Sequence, residues 1–208
     1  MRSFLFAILT ALIVGQGQPN LINGRCHDGE EITCDLPAVE HVQNSRSQID
    51  GRGLCVVSSI EMAARWQGLE EFRGFCNWAA HESGGAYPAK VVQQIKSYCA
   101  RSKIAVPPYA QYEGRSPDAI LDWCERTGRM ACITYGTSPR YRGVISHMVC
   151  CVKNGGRWAV VLDNNFPGEQ SYEWMSREEL LRRISYPDGR AWVFAWLAPS
   201  PPPAPRND

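Results

Sequence analysis

The sequence has almost no excess of charge of either sign. Its 22 lysine and arginine residues are balanced by 21 aspartate and glutamate residues, which leaves a formal net charge of +1. Phosphate recognition requires a concentrated excess of basic side chains, so this balance argues against a nucleic-acid-binding protein. The seven tryptophans, eight tyrosines and six phenylalanines exclude a largely disordered chain. The length of 208 residues fits one domain, or one domain with two lobes.

Motifs that bind metals or phosphates are also missing. The chain has no Cys-x-x-Cys pair, no His-Glu-x-x-His sequence and no glycine-rich phosphate loop. Cys26, His27 and Cys34 lie close together, but a fourth zinc ligand at a usual spacing is absent, so a disulfide is the better interpretation of these residues. The sequence therefore predicts neither a metal nor a cofactor.

The longest apolar run lies at the N-terminus and is too short to cross a membrane. It extends from Phe4 to Val14, follows Arg2, and ends at a Gly-Gln-Gly-Gln sequence. A bilayer requires about 20 apolar residues, whereas this layout is typical of a secretory signal. We expect residues 1–18 to be a signal peptide, and the mature protein to be secreted or periplasmic without membrane attachment. The alternative is a buried first helix or strand.

The cysteine content agrees with export. Nine cysteines are many for a reducing compartment and common in an exported protein. Disulfides are then expected, and Cys26 with Cys34 is a candidate pair because the two are close enough to close a small loop. An odd number of cysteines leaves one thiol unpaired.

Hydrophobic periodicity predicts helices early in the chain and strands later. The predicted helices cover residues 55–68, 88–100, 116–127 and 176–184. The predicted strands cover residues 130–135, 147–152, 158–162 and 192–197. The strands mostly follow the helices instead of alternating with them, and residues 153–157 form a hairpin turn. The predicted fold class is therefore α+β, with a helical lobe followed by an antiparallel β-sheet lobe.

The composition also suggests where the domain begins and ends. Residues 19–47 are polar and rich in turn formers, and they precede a predicted domain at residues 48–198. Residues 199–208 are mostly proline and are expected to form a disordered tail.

Three residues combine the chemistry of a nucleophile, a base and an orienting carboxylate. Cys55 begins a predicted helix, where free backbone amides and the helix dipole stabilise a thiolate. His147 begins a predicted strand, and Asp163 ends the partner strand across the hairpin. A carboxylate in this position can accept the imidazole N–H and fix its tautomer. Asn164 and Asn165 are adjacent and remain alternatives for that role.

These elements resemble the papain-like cysteine peptidases. The sequence Gly53-Leu54-Cys55-Val56-Val57-Ser58-Ser59-Ile60 is similar to the nucleophile helix of that family. The hairpin at residues 147–164 is similar to the hairpin that contains the histidine and the aspartate or asparagine of that family. The 16-residue step from His147 to Asp163, together with residues 174–180, resembles the C39-like, bacteriocin-processing branch. The resemblance implies a papain-like two-lobed fold, an active site between the lobes, and a monomeric peptidase acting on peptides or proteins.

The resemblance also implies an oxyanion-hole glutamine six residues before the nucleophile. This chain has Ile49 there, and Gln48, one position further away, is the candidate. Gln43 and Asn44 are alternatives. The chain shows no transporter segment, so the cleavage of leader peptides is not implied.

Two other classes of function share the order of these residues. Transglutaminase-like acyl transferases and cell-wall amidases use the same Cys, His and Asp order, although the transglutaminase histidine is usually followed by an aromatic residue that Met148-Val149-Cys150 lacks. A catalytically inactive relative would bind a peptide or a partner protein in the cleft, and the displaced glutamine supports that alternative.

Overall fold

The computed structural model describes residues 21–44, 54–81, 87–141, 143–184 and 188–197. The predicted signal peptide at residues 1–18 and the predicted proline-rich tail at residues 199–208 lie outside these ranges. The predicted boundary between residues 47 and 48 lies outside them as well.

Five α-helices lie in the described residues, and four of them are the helices that the sequence predicts. Their bounds are Leu54–Trp66 (α1), Phe75–Ala80 (α2), Pro88–Ser102 (α3), Asp118–Arg126 (α4) and Arg177–Arg183 (α5). Every residue of α1 except Arg65 is buried, so this helix runs through the centre of the molecule. The sequence does not predict α2, because six residues are too few to show a hydrophobic period. Within the described residues, no helix has the length and apolar character to span a membrane.

Within the described ranges, the strands form a six-stranded antiparallel sheet and a separate two-stranded one. Their bounds are Cys26–His27 (β1), Glu30–Glu31 (β2), Tyr109–Gly114 (β3), Ala131–Tyr135 (β4), His147–Gly155 (β5), Trp158–Leu162 (β6), Tyr172–Ser176 (β7) and Ala191–Trp196 (β8). The order in the large sheet is β3-β8-β4-β5-β6-β7. The protein is therefore α+β, as predicted. The hairpin turn is tighter than expected, because β5 continues to Gly155 and the turn consists of Gly156 and Arg157.

Helices cover both faces of the large sheet. On one face, α1, α2 and α3 pack against side chains such as Met148, Phe194 and Trp196. On the other face, α4 and α5 pack against side chains such as Val149 and Val193. The alternation of side chains along each strand separates the two cores. α1 contacts β4, β5 and β8, so its N-terminus lies close to the central strands.

The polar N-terminal residues 21–44 pack on the same core as α1. Ile32, Cys34 and Leu36 are buried within it. The backbone N–H of Cys34 donates to the carbonyl of Val152 at 2.8 Å, and Ile22 forms an isolated β-bridge with Trp174. This segment is thus joined to the sheet at two of its strands.

The structure corrects the expectation of disulfides. All nine cysteines lie in the described residues and all are free thiols. In the candidate pair, Cys26 is exposed on β1 whereas Cys34 is buried in the core. Seven of the nine are buried, and all of these except Cys55 serve as small apolar packing residues. Burial raises the pKa of the Cys124 thiol to about 12, for example, so this thiol stays neutral.

Candidate active site

A β-bulge near the hairpin sets the register of the two strands that hold the candidate residues. Close to the turn Lys153 pairs with Val160, but further along Cys151 pairs with Val161, so Val152 is an extra residue in β5. The bulge moves the rest of β5 by one residue relative to β6. Because side chains alternate between the two faces of a sheet, a one-residue shift exchanges the faces.

The shifted register places His147 and Asp163 on the same side of the sheet. Val149 in β5 and Val161 in β6 both belong to the core beneath α4 and α5, and His147 and Asp163 continue these two alternations. Asn164 falls on the opposite side, where its amide donates to groups of α1. Without the bulge, Asn164 would share a face with His147 instead.

His147 and Asp163 form a buried hydrogen-bonded pair. His147 Nε2 lies 2.8 Å from Asp163 Oδ1, and the two residues are 8% and 0% exposed. Burial disfavours the charged form of each, but their mutual hydrogen bond and attraction outweigh it. The pKa of His147 is raised to about 9, with a contribution from the Cys55 thiol, and the pKa of Asp163 is lowered. At neutral pH the pair is therefore an imidazolium and a carboxylate.

Cys55 reaches the same imidazole from the start of α1. Its thiol lies close enough to the His147 ring to contribute to the raised pKa of that ring, and Cys55 is 6% exposed. Because Nε2 of the ring is bonded to Asp163, Nδ1 is the nitrogen available to the thiol. Cys55 is the second residue of α1, so its backbone N–H is one of the four that have no acceptor within the helix. Thiol, imidazole and carboxylate thus form a continuous series.

Asn164 connects the start of α1 to β5. Its side-chain amide lies within hydrogen-bonding distance of three acceptors: the Cys55 carbonyl at 2.9 Å, Ser59 Oγ at 3.0 Å and the Met148 carbonyl at 3.1 Å. These contacts fix the position of the Cys55 backbone relative to the strand that begins with His147. Asn164 therefore holds the two elements together, and Asp163 is the residue bonded to the imidazole.

Two further residues surround the Asp163 carboxylate. Tyr141 Oη donates to Oδ2 at 2.7 Å, and the backbone N–H of Asn165 donates to Oδ1 at 3.0 Å. The Asn165 side-chain amide donates to Tyr141 Oη at 2.9 Å and lies 3.4 Å from His147 Nε2. Tyr141 was not predicted from the sequence, because a tyrosine in a loop six residues before the histidine follows no helical or strand spacing.

The candidate oxyanion-hole residue Gln48 lies outside the described residues, as does Ile49. Both alternatives for it lie beside the loop that follows β6. Gln43 donates to the Phe166 carbonyl at 3.2 Å, and the Asn44 side chain donates to Asn165 Oδ1 at 3.0 Å. Asn44 also donates its backbone N–H to the Asn164 carbonyl at 2.8 Å. The end of the N-terminal segment thus borders the site.

In the part of the chain that the structure describes, no three His, Cys, Asp or Glu side chains are grouped so that they could hold a metal ion. The His27 ring packs edge-on against Trp158, with ring centroids 4.5 Å apart.

Comparison with known proteins adds a structural likeness. No protein-family profile matches the chain, and no curated protein matches it either. Among solved structures, a double glycine motif protease from an AMS/PCAT transporter, in complex with the leader peptide, is similar to this chain. The two share 15% sequence identity, the match covers 68% of this chain and 84% of that chain, and the TM-score is 0.38. A likeness at this level does not indicate a function. The function is inferred from Cys55, His147 and Asp163.

Proposed function

We propose that this protein is a cysteine peptidase in which Cys55 is the nucleophile, His147 the general base and acid, and Asp163 the residue that orients the imidazole. The observation that supports this proposal is the arrangement of thiol, imidazole and carboxylate, in which His147 is hydrogen-bonded to Asp163 at 2.8 Å and its pKa is raised by both Asp163 and Cys55. A nucleophile bonded to a base that a third group orients is the arrangement that activates thiols and hydroxyls in unrelated hydrolases.

The first step is the formation of the reactive thiolate. The proton of the Cys55 thiol rests on His147 before the substrate binds, and the imidazolium is stabilised by Asp163, as the raised pKa of the ring indicates. The thiolate then attacks the carbonyl carbon of a peptide bond. Negative charge develops on the carbonyl oxygen, and the backbone N–H of Cys55 is positioned at the helix start to donate to it. Gln48 is the proposed second donor.

The second step releases the two products. The His147 imidazolium gives its proton to the leaving amine as the carbon–nitrogen bond breaks, which leaves the acyl group joined to Cys55 as a thioester. His147 then removes a proton from a water molecule that attacks this thioester. The carboxylic acid leaves, and the proton returns to the Cys55–His147 pair. The net reaction is the hydrolysis of one peptide bond.

The proposed substrate is a peptide or protein. The signal-like layout of residues 1–18 supports a secreted or periplasmic location for this activity, and we propose that the enzyme acts as a monomer.

A matched pair of cysteine variants tests the proposal. Cys55→Ala is expected to abolish hydrolysis of a peptide library and to abolish labelling by a thiol-directed epoxide, because the nucleophilic sulfur is gone. Cys26→Ala, which removes an exposed thiol outside the site, is expected to leave both unchanged.

Three outcomes of this experiment would contradict the peptidase proposal. The first is hydrolysis that survives in Cys55→Ala. The second is epoxide labelling that occurs chiefly at another cysteine. The third is transfer of the peptide acyl group to an added amine in place of hydrolysis, which would make the site that of an acyl transferase.

A further inference from the structure

A tyrosine completes the hydrogen bonding of the Asp163 carboxylate. Oδ1 accepts from His147 Nε2 at 2.8 Å and from the backbone N–H of Asn165 at 3.0 Å, while Oδ2 accepts from Tyr141 Oη at 2.7 Å. Each carboxylate oxygen thus has its own donors. The carboxylate cannot rotate toward or away from the imidazole without breaking bonds at both oxygens.

We propose that Tyr141 is a positioning residue of this site, which holds the Asp163 carboxylate in place and limits how strongly that carboxylate attracts the His147 imidazolium. Its catalytic consequence rests on the proposed peptidase function. The effect of Tyr141 on the Cys55–His147 pair is independent of that function. Tyr141 exerts this effect through Asp163, whatever the substrate is.

The surroundings of Tyr141 keep its phenol protonated, so that its hydroxyl donates a hydrogen bond to Asp163. Burial, followed by the negative charge of Asp163, raises the pKa of its phenol far above the usual range. The phenol oxygen already accepts a hydrogen bond from the Asn165 amide at 2.9 Å, so its own hydrogen is directed at the carboxylate. The charged groups that face the phenol are Asp163, the His147 ring at a centroid distance of 5.7 Å, and the guanidinium of Arg140.

A buried ion pair anchors the loop that holds Tyr141. The neighbouring Arg140 has a side chain that is 4% exposed and lies 3.2 Å from the carboxylate of Glu173 in β7. Ser138 Oγ donates to the same carboxylate at 3.0 Å and accepts from the Arg140 backbone N–H at 3.1 Å. Arg140 also donates to the Tyr172 carbonyl at 2.6 Å. The phenol is therefore held against Asp163 by the sheet, and its position is part of the fold.

The direction in which Tyr141 changes the pKa of His147 follows from the competition of the two residues for the negative charge of Asp163. Tyr141 and the His147 imidazolium both donate to the same carboxylate, so removal of the phenol leaves more of its negative charge for the imidazolium. Tyr141→Phe keeps the ring, which packs against His147 and Phe166. The pKa of His147 is expected to rise by about half a unit to one unit in this variant. The freer carboxylate orients the ring less well, so kcat is expected to fall several-fold with KM little changed.

The decisive measurement does not require a substrate. The rate at which iodoacetamide alkylates Cys55, resolved by mass spectrometry of the Cys55 peptide, is recorded against pH for the wild type and for Tyr141→Phe. The upper limb of this profile reports the loss of the imidazolium, and it is expected to move to higher pH by about half a unit to one unit in the variant. Tyr98→Phe is the control, because its hydroxyl donates to the Glu71 and Arg73 carbonyls among the helices, and its profile is expected to match the wild type.

A second measurement covers the case in which Tyr141→Phe does not fold. Uniform replacement of tyrosine by 3-fluorotyrosine keeps every hydroxyl and makes each a stronger donor, so the upper limb is expected to move to lower pH. A limb that stays in place in Tyr141→Phe, or in the fluorinated protein if the variant is unfolded, overturns the inference.

The two proposals fail in distinguishable ways. If the wild type hydrolyses no peptide but the alkylation limb moves in Tyr141→Phe, the peptidase proposal is wrong and the positioning role of Tyr141 stands. If hydrolysis depends on Cys55 but the limb does not move, the peptidase proposal stands and Tyr141 is a packing residue.

Discussion

At the scale of single residues, the candidate site depends on the His147 imidazolium, a positive charge that is almost completely buried. His147 is 8% exposed, and burial alone would keep its ring neutral. The hydrogen bond with Asp163 and the interaction with Cys55 reverse that preference and raise the pKa of His147 to about 9. The same contacts that stabilise the imidazolium also place it beside the Cys55 thiol.

The charge on His147 links stability to pH. Its pKa in the folded protein, about 9, lies above the usual value of 6.5, so protonation stabilises the fold. This contribution is complete below pH about 6.5 and is lost as the pH rises through about 9. The difference of about 2.5 pKa units corresponds to about 3 kcal/mol of unfolding free energy. Urea denaturation between pH 6 and pH 10 is expected to show a decrease that is about 3 kcal/mol larger in the wild type than in His147→Gln. The buried thiols, whose pKa is raised, add a decrease of their own above about pH 9 in both proteins. Parallel pH profiles for the two proteins would show that the ring is not charged in the native state.

Sequence reasoning located the candidate residues but not all of their partners. Cys55 at a helix start, and His147 and Asp163 at strand ends, follow from patterns of a few neighbouring residues, and the structure brings the three side chains together. Tyr141 contacts Asp163 from a loop whose position depends on the distant Glu173. A contact set by pairing between distant parts of the chain has no local pattern by which it could be predicted.

At the scale of elements, the β5–β6 hairpin shows what alternation can and cannot predict. The residues His147–Val152 are apolar on both faces of the sheet, so they indicate a strand but give no signal for its register. The bulge at Val152 is invisible in such a run, yet it decides whether Asp163 or Asn164 shares a face with His147. This is why the sequence left Asp163, Asn164 and Asn165 open as alternatives.

β7 was missed for a related reason. It contains Glu173, which is 1% exposed and lies 2.5 Å from the Arg183 guanidinium in α5. In the sequence a glutamate between two aromatic residues indicates a surface position. Its burial depends on arginines that come from α5 and from the loop before β5.

The N-terminal segment at residues 21–44 is the element whose contribution to stability is most easily tested. Leu36 is 3% exposed in the core shared with α1, whereas Val39, three residues later, is 88% exposed. Leu36→Ala is expected to lower the free energy of unfolding by about 2–4 kcal/mol, because it leaves a cavity in that core. Val39→Ala is expected to change it by less than about 0.5 kcal/mol. Urea denaturation at neutral pH compares the two, and equally small effects would mean that the segment is not part of the folded core.

At the scale of the whole molecule, the order of elements predicted the fold class, while composition misled about the cysteines. Early helices and later strands indicated α+β, and the sheet confirms it. The cysteine count suggested disulfides because a count does not say where the residues lie. Even Cys132 and Cys150, which face each other on neighbouring strands, are free thiols. Fully buried in the core, they pack as small apolar side chains.

The redox state of the nine cysteines can be counted directly. We expect the protein, purified without exposure to oxidants and denatured without a reducing agent, to show nine thiols toward dithionitrobenzoate, and the same number after treatment with a phosphine reductant. In the native protein, Cys26 should react early because it is exposed, and Cys55 because it is the proposed nucleophile. The buried thiols of the core, such as Cys132 and Cys151, should react only on unfolding, since burial raises the pKa of each. A deficit of two thiols before reduction would reveal a disulfide and would contradict the assignment of nine free thiols.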